Sequence, residues 1–198
     1  MTSTPFRRIT RCRWRRKRSW PRGARHVAMT RADVDQNEAE IKLRRMTLRD
    51  VDSVLVVERR SFTAPWSRQA FMTELLDNQF ARYIVAEDDG RIVGYAGVWI
   101  IVDEGHVTNI AVDPDYRGMH LGETLLRALM AICAAHGGSR MTLEVRVTNS
   151  VAQNLYRKLG FTAAGIRKGY YTDNREDAII MWADLPPADT LPSAQSLL

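Results

Sequence analysis

The sequence is poor in several of the features on which common function classes are built. Its 198 residues include only two cysteines, Cys12 and Cys133, and Cys133 sits in an apolar run, so no disulfide framework or zinc spacing can be assembled. A reducing, cytoplasmic setting and no metal are the corresponding expectations. The longest apolar stretch, residues 125–135, is broken by Arg127 and is too short to span a bilayer, so no membrane partner is expected. Neither the Gly-x-Gly-x-x-Gly fingerprint nor the phosphate loop Gly-x-x-x-x-Gly-Lys-Ser/Thr occurs. Acidic residues are missing altogether from positions 1–28, which carry ten Lys and Arg.

That last absence changes the meaning of the net charge. The whole chain is +6, yet residues 29–198 alone are −4. The basicity that would suggest nucleic acid belongs to a leader and not to the part with apolar periodicity, so nucleic acid is not expected as a partner of the folded body. Residues 1–40 read as a leader without helical or strand periodicity, expected to be disordered. Two readings of it stay open. Translation starting at Met29 would remove most of it, whereas a translated leader, with Arg15-Arg16-Lys17-Arg18 between two Trp residues, suits a tether that neutralises phosphates and stacks on bases, as in a transient association with the ribosome. Residues 41–185 form one domain, and Pro186-Pro187 opens a tail expected to fray through residue 198.

Within the body, residues 41–45 alternate apolar and basic as a short strand, and Thr47 is placed to cap a helix over 48–58. An aromatic loop, 61–66, precedes a second helix capped by Ser67. Strands over 82–87 and 92–102, joined at Asp88-Asp89-Gly90, are followed by a turn at Asp103 and a strand over 106–112. A long apolar helix spans 121–136 and closes at Gly137-Gly138. A strand over 141–147, a helix capped by Asn149 or Ser150, and strands over 162–171 and 178–183 complete the order β-α-α-β-β-β-α-β-α-β-β. The class is α/β, with a single mixed central sheet flanked by helices.

Two places can carry chemistry. The segment from Asp113 to Gly122 links a strand to a helix N-terminus, where outward backbone N–H groups and the helix dipole hold a phosphate or pyrophosphate without many cations; an ordinary strand-to-helix turn has the same outline. Further on, Glu144 lies on a strand among apolar neighbours, and Tyr156 falls on the apolar stripe of the next helix. They can act as base and acid, or be a wet-face sheet residue and a core aromatic.

Taken together, the run Ile110-Ala-Val-Asp-Pro-Asp-Tyr-Arg-Gly-Met-His-Leu-Gly122, Leu143-Glu-Val145, Asn149 and Leu155-Tyr-Arg-Lys-Leu-Gly-Phe161 resembles the GCN5-related N-acetyltransferase (GNAT) superfamily. The resemblance runs from about Ile41 to Leu185 and implies the acyl-CoA N-acyltransferase fold. Phe62-Thr-Ala-Pro-Trp-Ser67, Asn109-Ile-Ala-Val112, Leu143-Glu-Val-Arg146 and Tyr170 to Met181 bring it nearest the bacterial RimI-type group, which acetylates the N-terminal alanine of a small-subunit ribosomal protein.

The resemblance implies acetyl-CoA as co-substrate and, as acceptor, the N-terminal peptide of a ribosomal protein. It implies that Ile110, Ala111 and Val112 line the pantetheine arm, with an N–H near Ala111 or Val112 polarising the thioester carbonyl. Gly118, Met119, His120, Leu121, Gly122 and Glu123 would hold the pyrophosphate, and Asn149 would contact the cofactor. Glu144 would be the base and Tyr156 the acid; Pro65, Trp66, Tyr170 and Arg175 would meet the acceptor, although a salt-bridged turn is an equal reading of Arg175. One position departs from the family pattern. The loop motif Arg/Gln-x-x-Gly-x-Gly/Ala has His120 at its first Gly, which a helical backbone and an outward side chain would accommodate. A same-fold enzyme acting on lysine or a small amine is the nearest alternative; a non-catalytic acetyl-CoA-binding module or an RNA-tethered adaptor are the alternatives of another class.

Overall fold

The computed structural model describes residues 12–13, 40–191 and 197. The expectation of a disordered leader therefore lies outside the described residues, except at β1 (Cys12–Arg13), which pairs antiparallel with the start of β2 (Glu40–Arg45). After β2 come α1 (Val51–Ser61), α2 (Arg68–Leu76), β3 (Ala81–Asp88), β4 (Arg91–Ile101) and β5 (Glu104–Val112). Then follow α3 (Leu121–Ala135), β6 (Arg140–Arg146), α4 (Ser150–Lys158), β7 (Thr162–Arg167) and β8 (Ala178–Asp184). From β2 onward this is the order read from the sequence.

Local chemistry explains the ends of these elements. Thr47 does begin the first helical segment, but as a short 3-10 turn, Leu48–Asp50, that leads into α1; the Asp50 carboxylate accepts from the Thr47 N–H at 2.8 Å and from Arg44 at 2.7 Å. Arg44 holds that carboxyl at about 2. Ser67 accepts the Ala70 N–H at 3.1 Å and so caps α2. At the end of α3, Gly137 takes φ +86°, and the N–H groups of Gly137 and Gly138 reach back to the carbonyls of Ala134 and Cys133, a Schellman closure. The strand expected over 162–171 stops at Arg167, because Gly169 turns at φ +59° and gives its N–H to the Asp177 side chain at 2.8 Å. In the tail, residues 188–190 form a 3-10 turn, and Leu191 and Leu197 pack against the core, while residues 192–196 and 198 lie outside the described residues.

The sheet runs β1-β2-β3-β4-β5-β6-β8-β7 and is antiparallel except between β5 and β6. Period-2 alternation gives it two dry faces. Ile84 and Ala86 of β3 join the apolar cluster under α3, whereas Tyr83 and Val85 face α1 and α2 together with Phe71 and Tyr95. Gly97 makes the second face possible, since a Cβ there would stand 2.1 Å from the Tyr83 ring. Next to Gly97 the β4–β5 register slips, leaving Thr108 as an extra residue in β5, and a bulge of this kind bends the strand.

The connection between β4 and β5 carries visible strain. Ile101 pairs with Glu104 across a two-residue turn in which Val102 takes φ +57°, a left-handed conformation that is costly for a β-branched side chain. Val102 is 88% exposed and contributes no packing in return. Val102→Gly is expected to stabilise the protein by about 1 kcal/mol, raising Tm by about 2–4 °C in a scanning melt; a lower Tm would show that the turn is not strained.

Candidate active site

β5 and β6 pair only over Glu104–Arg140, Gly105–Met141 and His106–Thr142. Beyond these three pairs the strands diverge, and a cleft of about 480 Å³ opens between the second half of β5 and β6. The Phe62 to Trp66 loop bounds it on one side and residues 170–173 on the other, with Asn149 and Tyr156 contributed by α4.

The backbone of β5 presents one edge to this gap. Asp113 donates its N–H to Val93 at 2.9 Å on β4, so by antiparallel alternation Ala111 also faces β4, and Ile110 and Val112 turn their backbone groups toward the open side. The Val112 carbonyl accordingly accepts from Ser61 at 3.4 Å and from Arg117 at 3.3 Å. Of the pair named from the sequence, Val112 and not Ala111 has a backbone N–H aimed into the gap. The Ala111 side chain is buried in the α1/α2 core.

At the C-terminal end of β5, buried Asp113 fixes the next loop. Its carboxylate accepts from Arg60 at 2.8 Å and Arg91 at 3.0 Å, and also from the Asp115 N–H at 3.0 Å, which caps the turn Pro114–Tyr116. The loop then enters α3 through Gly118 at φ +76° and His120 at φ +58°. Of the two conditions that would accommodate a side chain at residue 120, a right-handed helical backbone is not met: His120 is left-handed, as the cap residue at which the chain reverses into α3, and the family's Gly suits that conformation at lower cost. Its side chain does point outward, being 70% exposed, and lies 3.6 Å from Glu123.

Glu123 pairs with Lys158 at 2.7 Å and Arg127 at 2.9 Å, and these partners, Lys158 foremost, lower its pKa. Its side chain ties α3 to α4, leaving its backbone N–H for an anion. A Cβ on Gly122 would sit 3.5 Å from Leu155 and 3.9 Å from Val112, so the N-terminus of α3, the end of β5 and α4 converge there. Positive-φ turns, a helix N-terminus and a fixed Asp113 base make this segment suited to a pyrophosphate.

Inside the cleft, Glu144 projects from β6 and is met by Arg167 at 3.1 Å from Oε1. Tyr156 is buried in the same cleft, and its burial, assisted by nearby Tyr171, pushes its hydroxyl pKa well above the usual tyrosine value. It therefore keeps its proton across the neutral and mildly alkaline range. Asn149 caps α4 by accepting the Ala152 N–H at 3.1 Å and also lines the cleft.

Other residues named from the sequence fall in different places. Ile110, Trp66 and Tyr170 line the cleft. Pro65 is exposed beside it. Arg175 is not among the residues lining the cleft; it sits at φ +58° in a turn closed by its N–H to Tyr171 at 2.7 Å. Arg146, to which the sequence reading gave no role, is the cation that lines the cleft among the described residues.

Glu58 also lines the cleft, although no motif in the sequence marks it. It is 1% exposed in α1, with its carboxyl pKa raised by burial. It accepts the Trp66 N–H at 2.8 Å and the Tyr95 hydroxyl, thereby fastening the Trp66 loop to the core. Its only signal in sequence was position: a carboxylate at the end of a helix, followed by Arg59-Arg60, reads as part of a solvated charge run.

The sequence profile of the Acetyltransferase (GNAT) family matches residues 51–161. The ribosomal protein bS18-alanine N-acetyltransferase of Escherichia coli (strain K12) is 40% identical over 136 residues, 67% of this chain and 89% of that protein. A Bacillus subtilis (strain 168) protein assigned the same activity provisionally is 50% identical over 143 residues, 72% of this chain and 95% of its own length. The chain belongs to the GNAT acetyltransferase family. Its structure is similar to the crystal structure of the Escherichia coli ribosomal-protein-S18-alanine N-acetyltransferase, with a TM-score of 0.68 and 34% identity over 73% of this chain and 94% of the other. As a GNAT protein the chain is an N-acetyltransferase, built on the α/β sheet that the sequence implied.

Among the described residues no group of His, Cys, Asp and Glu could hold a metal ion, and no helix is long and apolar enough to cross a membrane. Cys133 is buried, with its thiol pushed to about 11 by burial, which makes it a poor nucleophile at neutral pH.

Glu58→Ala would leave the Trp66 N–H and the buried Tyr95 hydroxyl without their acceptor, at a cost of about 1–3 kcal/mol for each orphaned donor. Chemical denaturation should show a loss of that order; unchanged stability would mean that water replaces the carboxylate freely.

Proposed function

We propose that this chain transfers the acetyl group of acetyl-CoA to the N-terminal α-amine of a protein, specifically the N-terminal alanine of a small-subunit ribosomal protein. The observation that carries the reading is that Glu144 and Tyr156, from different elements, line one cleft at the point where β5 and β6 separate. The identities of 50% and 40% to the two bacterial relatives support the acceptor class.

In this reading the open edge of β5 at Ile110 and Val112 holds the pantetheine arm, and the backbone of residues 118–123 holds the pyrophosphate. Bound acetyl-CoA supplies an activated acetyl thioester. Glu144, directly or through one water, receives the proton that the attacking amine gives up; Tyr156, kept protonated by its burial, delivers a proton to the departing sulfur. A backbone N–H of β5 on the open side, with Val112 best placed, donates to the acetyl carbonyl oxygen.

The acceptor's own chemistry favours an α-amine. With a pKa near 8, about a tenth of it is neutral at pH 7, against about one part in two thousand for a lysine side chain, so it demands less of the base. The net charge of −4 on residues 29–198 also suits a basic peptide.

The test uses synthetic peptides followed by mass spectrometry. A peptide with a free N-terminal Ala should be acetylated far faster than the same peptide blocked at that end and carrying one internal Lys; equal rates would favour the lysine or small-amine alternative. Glu144→Gln and Tyr156→Phe should each lower kcat by about 10²-fold or more with acetyl-CoA affinity nearly unchanged. Wild-type kcat in both variants would remove the assigned roles.

A further inference from the structure

The wall of the cleft formed by residues 170–173 belongs to the loop between β7 and β8, and a single side chain organises that loop. Arg146, at the end of β6 and on the same side of that strand as Glu144, donates from Nη2 to Asp173 at 2.8 Å and from Nη1 to both Glu176 and Asn174 at 3.0 Å. Its guanidinium also lies 3.8 Å from the centre of the Tyr171 ring. Asp173 continues the chain of contacts across the mouth of the cleft, because the same oxygen that Arg146 meets also accepts the Thr63 hydroxyl of the α1–α2 loop. On the other side, Glu176 accepts from the Thr148 N–H at 2.9 Å and from its hydroxyl at 2.6 Å.

An isolated surface ion pair contributes little. Here one planar guanidinium is only a quarter exposed, holds three partners in a fork and stacks on an aromatic face, which is the arrangement that gives arginine directional hold. With its donors turned to the loop and its face covered by Tyr171, Arg146 is occupied by the protein itself and does not read as a group that grips the acceptor.

We propose that Arg146 is a positioning residue for the acceptor: it straps the 170–176 loop across the cleft and, through Asp173, latches it to Thr63, so that the peptide N-terminus enters a channel already formed between the two loops. The consequence is a division of labour along β6. Glu144 serves the chemistry, and Arg146, two residues on, sets the shape of the acceptor channel without touching the donor side.

This inference rests on the acetyl-transfer reading, and the two fail differently. Steady-state kinetics with an N-terminal Ala peptide and acetyl-CoA separate them. Arg146→Gln should raise the peptide KM by about tenfold while kcat stays within about threefold and the acetyl-CoA KM does not move. Arg146→Lys should fall between Gln and wild type, since an ammonium keeps one ion pair but neither the fork nor the stacking. Thr63→Val, which cuts only the latch, should raise the peptide KM by about threefold, and the double variant should be no worse than Arg146→Gln alone because both act through Asp173. An unchanged peptide KM in Arg146→Gln, or a parallel rise in the acetyl-CoA KM, overturns the strap. If Arg146→Gln does not fold, Thr63→Val decides, and an unchanged peptide KM there overturns it. Wild-type protein that acetylates no peptide N-terminus removes both readings.

Discussion

β5 and β6 are held together by three residue pairs and then separate, and nearly every feature of the site follows from that separation. A parallel pair that continued to the ends of both strands would bury the edges of Val107–Val112 and of Leu143–Arg146 in mutual hydrogen bonds. Because it does not, β5 offers an unpaired backbone edge, β6 turns Glu144 into a gap, and α4 can place Tyr156 at the inner end of the gap. The bulge at Thr108 lies at the start of the divergence, and it is fixed by the hydrogen bond of 2.9 Å between Thr108 and Tyr83, whose ring lies in the space left by Gly97. A backbone opening of this sort is tolerable only if something else satisfies the exposed groups. At Val112 the side chains of Ser61 and Arg117 do so in part.

Around this opening the protein uses buried carboxylates as fasteners. Asp113 gathers Arg60 and Arg91 beneath the loop into α3, and Glu58 gathers Trp66 and Tyr95 beneath the loop that borders the cleft. Each sits where a loop leaves the rigid sheet layer, so the loops are held by the core and not by their own sequence. The Glu123–Lys158 contact ties α3 to α4 in the same way. Flexible connections are thereby given fixed starting points, which is what a site needs if donor and acceptor are to meet in a defined geometry.

Much of this was legible in the sequence. Alternation in 141–146, the cap residues Ser67 and Asn149, and Gly137-Gly138 each name a local structure through a mechanism that acts within a few residues, and the element order followed from them. Glu144 and Tyr156 were singled out through the family motif, not through periodicity, since the pattern alone is equally that of a wet-face sheet residue and a core aromatic. What escaped depends on contacts between residues far apart in the chain. Glu58 meets Tyr95 across 37 positions, and Thr63 meets Asp173 across 110, so neither pairing leaves a local trace. The left-handed backbone of His120 is not legible for a related reason: residue type sets a preference among φ values, whereas the turn into α3 imposes one.

The measurement that bears most directly on the account is a crystal structure of the protein with a bisubstrate conjugate, coenzyme A joined through an acetyl bridge to the α-nitrogen of an N-terminal Ala peptide. The account predicts the pantetheine arm along the open edge of Ile110 and Val112, the pyrophosphate against the backbone of residues 118–123, the bridge between Glu144 and Tyr156, and the peptide leaving between Trp66 and Tyr170. A conjugate seated elsewhere, or one whose peptide leaves by a route that avoids those two loops, would contradict it.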